Sequence, residues 1–164
     1  MSEDTKIAIE ALRQAMLNEE TTHTFYVEAV EKVINAKGRQ VFQELAEEEV
    51  VHIRIVRSQY ESLKAGKGWT AVADFEHLES VDIRPLQFKR NELERQVTLT
   101  TTDIEALVIA AEMENNSFVF YVDQYNHMTD ALGKEIYGYL VKAERNHFNI
   151  VMSNWEHLVN TGTW

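Results

Sequence analysis

Four long segments of the chain repeat their apolar residues every three to four positions, the spacing of one face of an α-helix. The predicted helices cover about residues 4–35, 39–65, 102–129 and 130–160. The apolar seams of the first two are Ala8, Leu12, Ala15, Tyr26, Ala29 and Val33, then Phe42, Leu45, Val56 and Leu63. Those of the last two are Ile104, Leu107, Ala111, Phe118, Tyr121, Tyr125 and Met128, then Tyr137, Leu140, Val151, Trp155 and Leu158. The pattern predicts an all-α protein, a single four-helix domain over residues 1–164.

Turn and capping residues set the expected helix ends. Gly38 suits the C-terminal cap of the first helix or the turn after it, and Gly66 ends the second. Thr102 and Glu105 form a capping box for the third. Residues 66–101 are too many for a hairpin turn, so they are predicted to form a crossover along the bundle between helices 2 and 3. Trp69 in this segment, Trp155 and Trp164 are expected to serve in packing or at an interface.

Each seam is interrupted near its middle by a glutamate, where a bundle core requires an apolar residue. The interrupting residues are Glu19, Glu49, Glu114 and Glu144, and His52 and His147 follow the second and fourth of them by three positions. Residues i and i+3 share one helix face, so each Glu-x-x-His pair projects to one place. Four carboxylates in a core cost too much free energy without compensation. Two divalent cations are the simplest compensation, and the six residues are predicted to hold them.

An internal repeat supports this interpretation. Glu19 and Glu114 are 95 residues apart, and the same offset relates Glu49 to Glu144 and His52 to His147. Two similar helix hairpins would place these side chains around a pseudo-twofold axis. The alternative is a bundle whose buried polar residues are neutral or pair with one another, which does not explain their matching positions in all four helices.

Other polar residues near the seams are weaker candidates. Tyr26 and Tyr121 each follow a ligand glutamate by seven positions, which suggests hydrogen bonds to the carboxylates or a part in electron transfer; ordinary core packing is the alternative. His23 has Phe118 as its repeat partner and is predicted to be a packed or surface residue. His77, His127 and His157 are predicted to be surface residues. A solvated helix face is predicted for Glu20, Glu47, Glu48 and Glu112.

Composition narrows the function mainly by exclusion. With 16 basic and 27 acidic residues the formal net charge is −11, which disfavours nucleic acid and anionic membrane surfaces as partners. The absence of cysteine excludes disulfides, zinc-thiolate sites and iron–sulfur clusters, so any metal must rest on carboxylate and imidazole. The longest apolar run, residues 106–111, is too short to cross a bilayer, and residues 1–6 lack the pattern of a signal peptide. The expected location is the cytoplasm.

The segments around the six predicted ligands resemble the rubrerythrin and bacterioferritin branch of the ferritin-like superfamily. The resemblance covers all four helices and implies a ferritin-like four-helix bundle with two iron ions (Fe²⁺/Fe³⁺). It implies that Glu49 and Glu144 bridge the metals, that Glu19 and Glu114 are terminal ligands, and that His52 and His147 each add one nitrogen. The implied activity is the oxidation of ferrous iron by O₂ or H₂O₂, as in a ferroxidase or a rubrerythrin.

The chain departs from the family patterns in three ways. Rubrerythrins carry an extra glutamate one turn after the third-helix ligand, where this chain has Ser117, with Thr22 at the matching place in the first helix. This difference argues against peroxide reduction of the rubrerythrin type. A cysteine-free chain has no rubredoxin domain, so electrons would come from a separate donor protein. Val50 stands where bacterioferritins have a haem-ligating methionine, which predicts that no haem is bound.

Other functions fit the same ligand set. They are iron storage with little turnover, a di-metal oxygenase, a manganese enzyme that destroys peroxide, and a structural or regulatory bundle without chemistry. Manganese and zinc are accepted by the same donors as iron. Ferritin cages usually carry a short fifth helix. The fourth predicted helix here runs almost to the C-terminus, so a homodimer is expected rather than a cage.

Overall fold

The computed structural model of the protein describes residues 2–71 and 102–164. Its helices are α1 (Glu3–Lys32), α2 (Ala36–Lys64), α3 (Asp103–His127) and α4 (Ala131–Thr161). The described residues contain no strand, which confirms the predicted all-α, ferritin-like four-helix bundle. Most of the predicted crossover, with His77, lies outside the described residues. None of the described helices combines the length and apolarity needed to cross a membrane.

Short connections with polar caps define each hairpin. The side chain of Asn35 accepts hydrogen bonds from the backbone N–H groups at the start of α2, and Asp130 does the same for α4. The predicted capping box of Thr102 and Glu105 is present at the start of α3. The prediction that Gly38 caps α1 or lies in the turn after it is wrong, because Asn35 starts α2 earlier and places Gly38 in the first turn of α2.

The helices pack as two hairpins, α1 along α2 and α3 along α4, with a further contact between α1 and α3. Three-residue connections at 33–35 and 128–130 make the partners within each hairpin antiparallel. Two apolar clusters fill the bundle, one around Phe25, Phe42 and Leu107, the other around Leu12, Ile55 and Leu140. On each helix the glutamate that interrupts the seam lies between these two clusters, so the polar site is enclosed from both ends.

The buried face of α3 differs from the predicted one. Ala110 and Ser117 are buried there, whereas predicted seam residues Ile104 and Tyr125 are 40% and 38% exposed. This helix is apolar on most of its circumference, so periodicity alone does not identify its inner face. Small side chains face inward on α3, where it meets α1.

The internal repeat extends to a pair of tryptophans. Trp69, just after α2, packs against Gly133 of α4, where an added Cβ would lie 2.7 Å from its ring. Trp164, after α4, packs in the same way against Gly38 of α2, with a corresponding distance of 2.6 Å. Trp69 also contacts the ring of Tyr137, and Trp164 that of Phe42. Each tryptophan therefore closes the end of the opposite hairpin, and the two sets are related by the offset of 95 that relates the glutamates.

Candidate metal centre

The six predicted ligands meet in the middle of the bundle. Each comes from the central turns of its helix, where the seam faces the other three helices. Their exposed fractions are between 0% and 3%: Glu19 1%, Glu49 0%, His52 3%, Glu114 0%, Glu144 1% and His147 1%. Ligand atoms of Glu49, His52, Glu144 and His147 all lie within 4.8 Å of one another. These four buried side chains are close enough for their ligand atoms to bind the same metal ion.

One set of donors surrounds the inner nitrogen of His52. Its Nδ1 lies 2.9 Å from Oε1 of Glu144, 3.3 Å from Oε2 of Glu19 and 3.5 Å from Oε2 of Glu49. These side chains come from α4, α1 and α2. Three carboxylates therefore converge on one imidazole nitrogen, which is a mixed oxygen and nitrogen donor set.

A second set surrounds His147. Its Nδ1 lies 2.9 Å from Oε1 of Glu49 and 3.6 Å from Oε2 of Glu114. The rings of His52 and His147 stack with their centroids 5.0 Å apart and their planes inclined by 20°. Glu49 contacts both imidazoles, so it lies between the two sets.

Two tyrosines hold the outer carboxylates, and they do so across the bundle. The hydroxyl of Tyr26 on α1 donates to Oε1 of Glu114 on α3, and that of Tyr121 on α3 donates to Oε1 of Glu19 on α1. Each tyrosine thus fixes the glutamate of the other hairpin. Burial, together with the nearby carboxylates, raises the pKa of both phenols well above 10, so both stay protonated donors at neutral pH.

Burial and close charges shift the pKa values of the central side chains. Burial, with the carboxylates of Glu19 and Glu114, raises the pKa of Glu49 to about 7. Burial, followed by the charges of Glu19 and Glu49, also raises the pKa of Glu144 well above 4.5. Burial alone would lower the pKa of His147, but the carboxylates of Glu114 and Glu49 raise it to about 11. Burial and the close carboxylates therefore favour the protonated forms of Glu49, Glu144 and His147.

The donor set fits a pair of divalent cations. One oxygen of each of the four buried carboxylates faces an imidazole nitrogen at 2.9–3.6 Å without a hydrogen bond of good geometry within the described residues: Glu19 Oε2, Glu49 Oε2, Glu114 Oε2 and Glu144 Oε1. Unsatisfied buried acceptors are rare unless something else binds them. Two divalent ions carry four positive charges, which match four ionised carboxylates, and metal binding would give each free oxygen a partner.

The sequence matches the rubrerythrin family over residues 10–153, which includes all six of these side chains. The chain belongs to the rubrerythrin family. A solved structure of a hypothetical protein from Pyrococcus furiosus has the same fold, with a TM-score of 0.69 and 20% identity over 93% of this chain and 90% of that one. No curated protein sequence matches the chain significantly.

The position at which rubrerythrins carry an extra glutamate is filled differently here. Ser117 is buried on α3, and Thr22 is buried at the matching position of α1. Ser117 thus has a neutral hydroxyl at the position of that glutamate, and Thr22 has one at the repeat-equivalent position. The cluster of this rubrerythrin-family chain therefore has four central carboxylates, two from each half.

Two contacts near the candidate metal centre were not predicted from the sequence. Glu48, predicted to lie on a solvated face, is half-exposed but places its Oε2 2.6 Å from Nε2 of His147. Glu20, also predicted to be solvated, is buried and pairs with Arg57 at 2.9 Å. In both cases the partner lies 37 or more residues away, so helix periodicity gives no signal for the contact.

The remaining described histidines do not join the centre. His23 is half-buried beside Val27 in the groove between α1 and α2, and burial lowers its pKa. His127 and His157 are exposed, as predicted. Of the other acidic residues near the seams, Glu47 and Glu112 are exposed, in agreement with the predicted solvated face.

Metal binding is expected to release protons and to strengthen as pH rises. Both imidazoles have raised pKa values in the metal-free protein, and each must give up the proton on Nδ1 before that atom can bind a cation. We therefore expect at least two protons to leave per chain at neutral pH, and the apparent affinity to increase with pH up to about 11, where His147 loses its proton without metal. Calorimetric titration in two buffers of different ionisation enthalpy measures this number. Binding heats that do not depend on the buffer would contradict the expectation.

Proposed function

We propose that this chain binds two iron ions in the cluster of four glutamates and two histidines and oxidises ferrous iron with O₂ or H₂O₂. The observation that carries the proposal is the pair of donor sets, one around His52 and one around His147, with Glu49 between them. Membership of the rubrerythrin family supports it. The family implies iron, and the donors themselves accept manganese or zinc as well.

The side chains have distinct parts in this proposal. Glu49 and Glu144 belong to the buried group within 4.8 Å and would hold the ions together with the two histidines, whereas Glu19 beside His52 and Glu114 beside His147 would each add one further carboxylate. Carboxylate oxygens are hard donors, which favour ferric over ferrous iron and so promote oxidation. Bound iron would supply one electron from each of two ions to the oxidant.

Tyr26 and Tyr121 keep the terminal carboxylates in place. Because each phenol donates to one oxygen of its glutamate, the second oxygen is left for a metal. The apolar clusters on either side of the site lower its local polarity, which strengthens the electrostatic interactions inside it. The proposal also includes a homodimer and a separate electron-donor protein, consistent with the exposed apolar residues Ile104, Val108 and Val119 on α3.

The test compares metal content and ferrous oxidation in three forms of the full chain. Wild type is expected to bind two ferrous ions without oxygen and to form ferric iron when O₂ or H₂O₂ is added. Glu49→Gln/Glu144→Gln keeps the side-chain volume but is expected to bind no iron and to oxidise it no faster than buffer. Glu47→Gln/Glu135→Gln removes the same charge from exposed positions and is the matched control, expected to behave as wild type.

The outcomes separate the competing functions. Preference for O₂ or for H₂O₂ distinguishes a ferroxidase from a peroxidase. Two bound ions that oxidise once and stay bound would indicate storage, and tight manganese or zinc binding without ferrous oxidation would indicate a different native metal. A wild type that binds no metal above the level of Glu49→Gln/Glu144→Gln would refute the metal centre itself.

A further inference from the structure

The two imidazoles of the centre have different outer surroundings. Nε2 of His147 lies 2.6 Å from Oε2 of Glu48, a residue of the facing helix α2. Nδ1 of the same ring faces Glu49 at 2.9 Å. The ring is therefore held between two successive glutamates, one on each side. Glu48 retains 53% of its side-chain exposure, so it reaches the ring from the rim of the bundle.

The other half of the repeat has no equivalent of Glu48. The residue 95 positions later is Ala143, whose side chain cannot accept a hydrogen bond. Among the described residues, none makes a hydrogen bond or ion pair to Nε2 of His52. His52 instead lines an open pocket of about 400 Å³ between α2 and α4, with Ala143 in its wall. Nδ1 of each histidine contacts carboxylates, as the repeat leads one to expect. At Nε2 the two histidines differ, because only His147 has a carboxylate there.

This difference matters because a metal-bound histidine uses only one ring nitrogen. An acceptor at the other nitrogen fixes the tautomer and the ring orientation and makes the ligating nitrogen a better donor. Glu48 is such an acceptor for His147, since its carboxylate lies within hydrogen-bond distance of Nε2. Ala143 gives His52 none of these effects.

We propose that Glu48 is a positioning residue that fixes the tautomer and orientation of His147 and makes the two metal positions unequal. The proposal rests on the proposed metal centre. The position formed by Glu49, Glu114 and His147 is organised before metal arrives and takes the first ion. The position at His52 binds the second ion more weakly, because its imidazole is not fixed from outside.

Calorimetric titration of the metal-free full chain with Co²⁺ tests the proposal. Wild type is expected to show two steps of different affinity. Glu48→Ala is expected to weaken the tighter step by about 10- to 100-fold and to leave the weaker one unchanged. Ala143→Glu places a carboxylate at the matching position and is expected to tighten the weaker step. Glu47→Gln removes a neighbouring charge without touching His147 and is expected to change neither.

A second readout reports the ring itself rather than affinity. In the Zn²⁺-loaded protein, ¹⁵N chemical shifts are expected to place the proton of His147 on Nε2, in slow exchange with water. In Glu48→Ala this proton is expected to exchange fast, whereas Glu48→Gln, which keeps an acceptor oxygen, partly restores its protection. If wild type shows two Co²⁺ steps of equal affinity, or if Glu48→Ala weakens both steps equally, the proposed role of Glu48 is wrong. These results would leave the metal centre itself in place. A wild type that binds no Co²⁺ would instead remove the metal centre on which the proposal rests.

Discussion

Ferrous iron added without oxygen, in large excess over its dissociation constants, should raise the midpoint of thermal unfolding of the metal-free chain by about 15–30 °C. An ion present at about 1,000 times its dissociation constant stabilises a folded protein by about 4.1 kcal/mol if the unfolded chain does not bind it. Two ions then contribute about 8 kcal/mol, and each kcal/mol moves the midpoint of a chain of this size by about 2–4 °C. Scanning calorimetry under anaerobic conditions measures the shift.

The variant Glu49→Gln/Glu144→Gln separates metal binding from folding in this experiment. In the folded chain the pKa of Glu49 is raised to about 7, and that of Glu144 is raised well above 4.5, mainly by burial. A carboxyl with a raised folded pKa makes the protein less stable as pH rises from the unfolded value through the folded one. Glutamine has no proton to lose, so at pH 8 the metal-free variant should melt no lower than wild type. A large iron-induced shift that persists in the variant would contradict the ligand assignment.

Replacing Arg57 should produce the second largest change in the midpoint of thermal unfolding, and this change does not depend on metal. Arg57 and Glu20 form a buried ion pair at 2.9 Å between α2 and α1, with side chains only 6% and 5% exposed. Removing one member of a buried ion pair costs about 3–5 kcal/mol, because the other charge keeps its desolvation cost and loses the attraction of that member. Arg57→Met should therefore lower the midpoint of thermal unfolding by about 6–20 °C.

The repeat supplies the matched control for this prediction. The positions equivalent to Glu20 and Arg57 in the second half are Asn115 and Met152, an uncharged combination. Glu20→Asn/Arg57→Met should recover most of the stability lost in Arg57→Met, because both charges of the pair are then removed together. Chemical denaturation of both variants gives the two free energies of unfolding. A double variant as unstable as the single one would show that Arg57 acts through other contacts.

The parts of the structure that could be predicted are those carried by periodicity within one helix. Glu19, Glu49, Glu114 and Glu144 stood out because a charged residue at the centre of an apolar seam is expensive unless it has a partner. The inner face of α3 was predicted less well, since Ile104 and Ala110 are both apolar and only the packing decides which one is buried.

Contacts between helices could not be predicted, because they depend on how the helices are placed. Glu48 occupies a rim position that a single helix presents to solvent, and only the approach of α4 brings His147 to it. The crossed pairing of the tyrosines has the same origin. Tyr26 and Glu19 share a helix face, yet Tyr26 bonds to Glu114 on the neighbouring hairpin. The sequence identified both tyrosines, and only the fold identified their partners.

The exchange of tryptophans between the two halves bears on how the protein folds. Trp69 follows the first hairpin but covers Gly133 of the second, and Trp164 covers Gly38 of the first. An isolated hairpin would expose the aromatic ring that its own tryptophan cannot reach, and it would also lack half of the ligand cluster. Neither hairpin thus has a complete core by itself, so the two are expected to gain protection from hydrogen exchange together, in one cooperative unit.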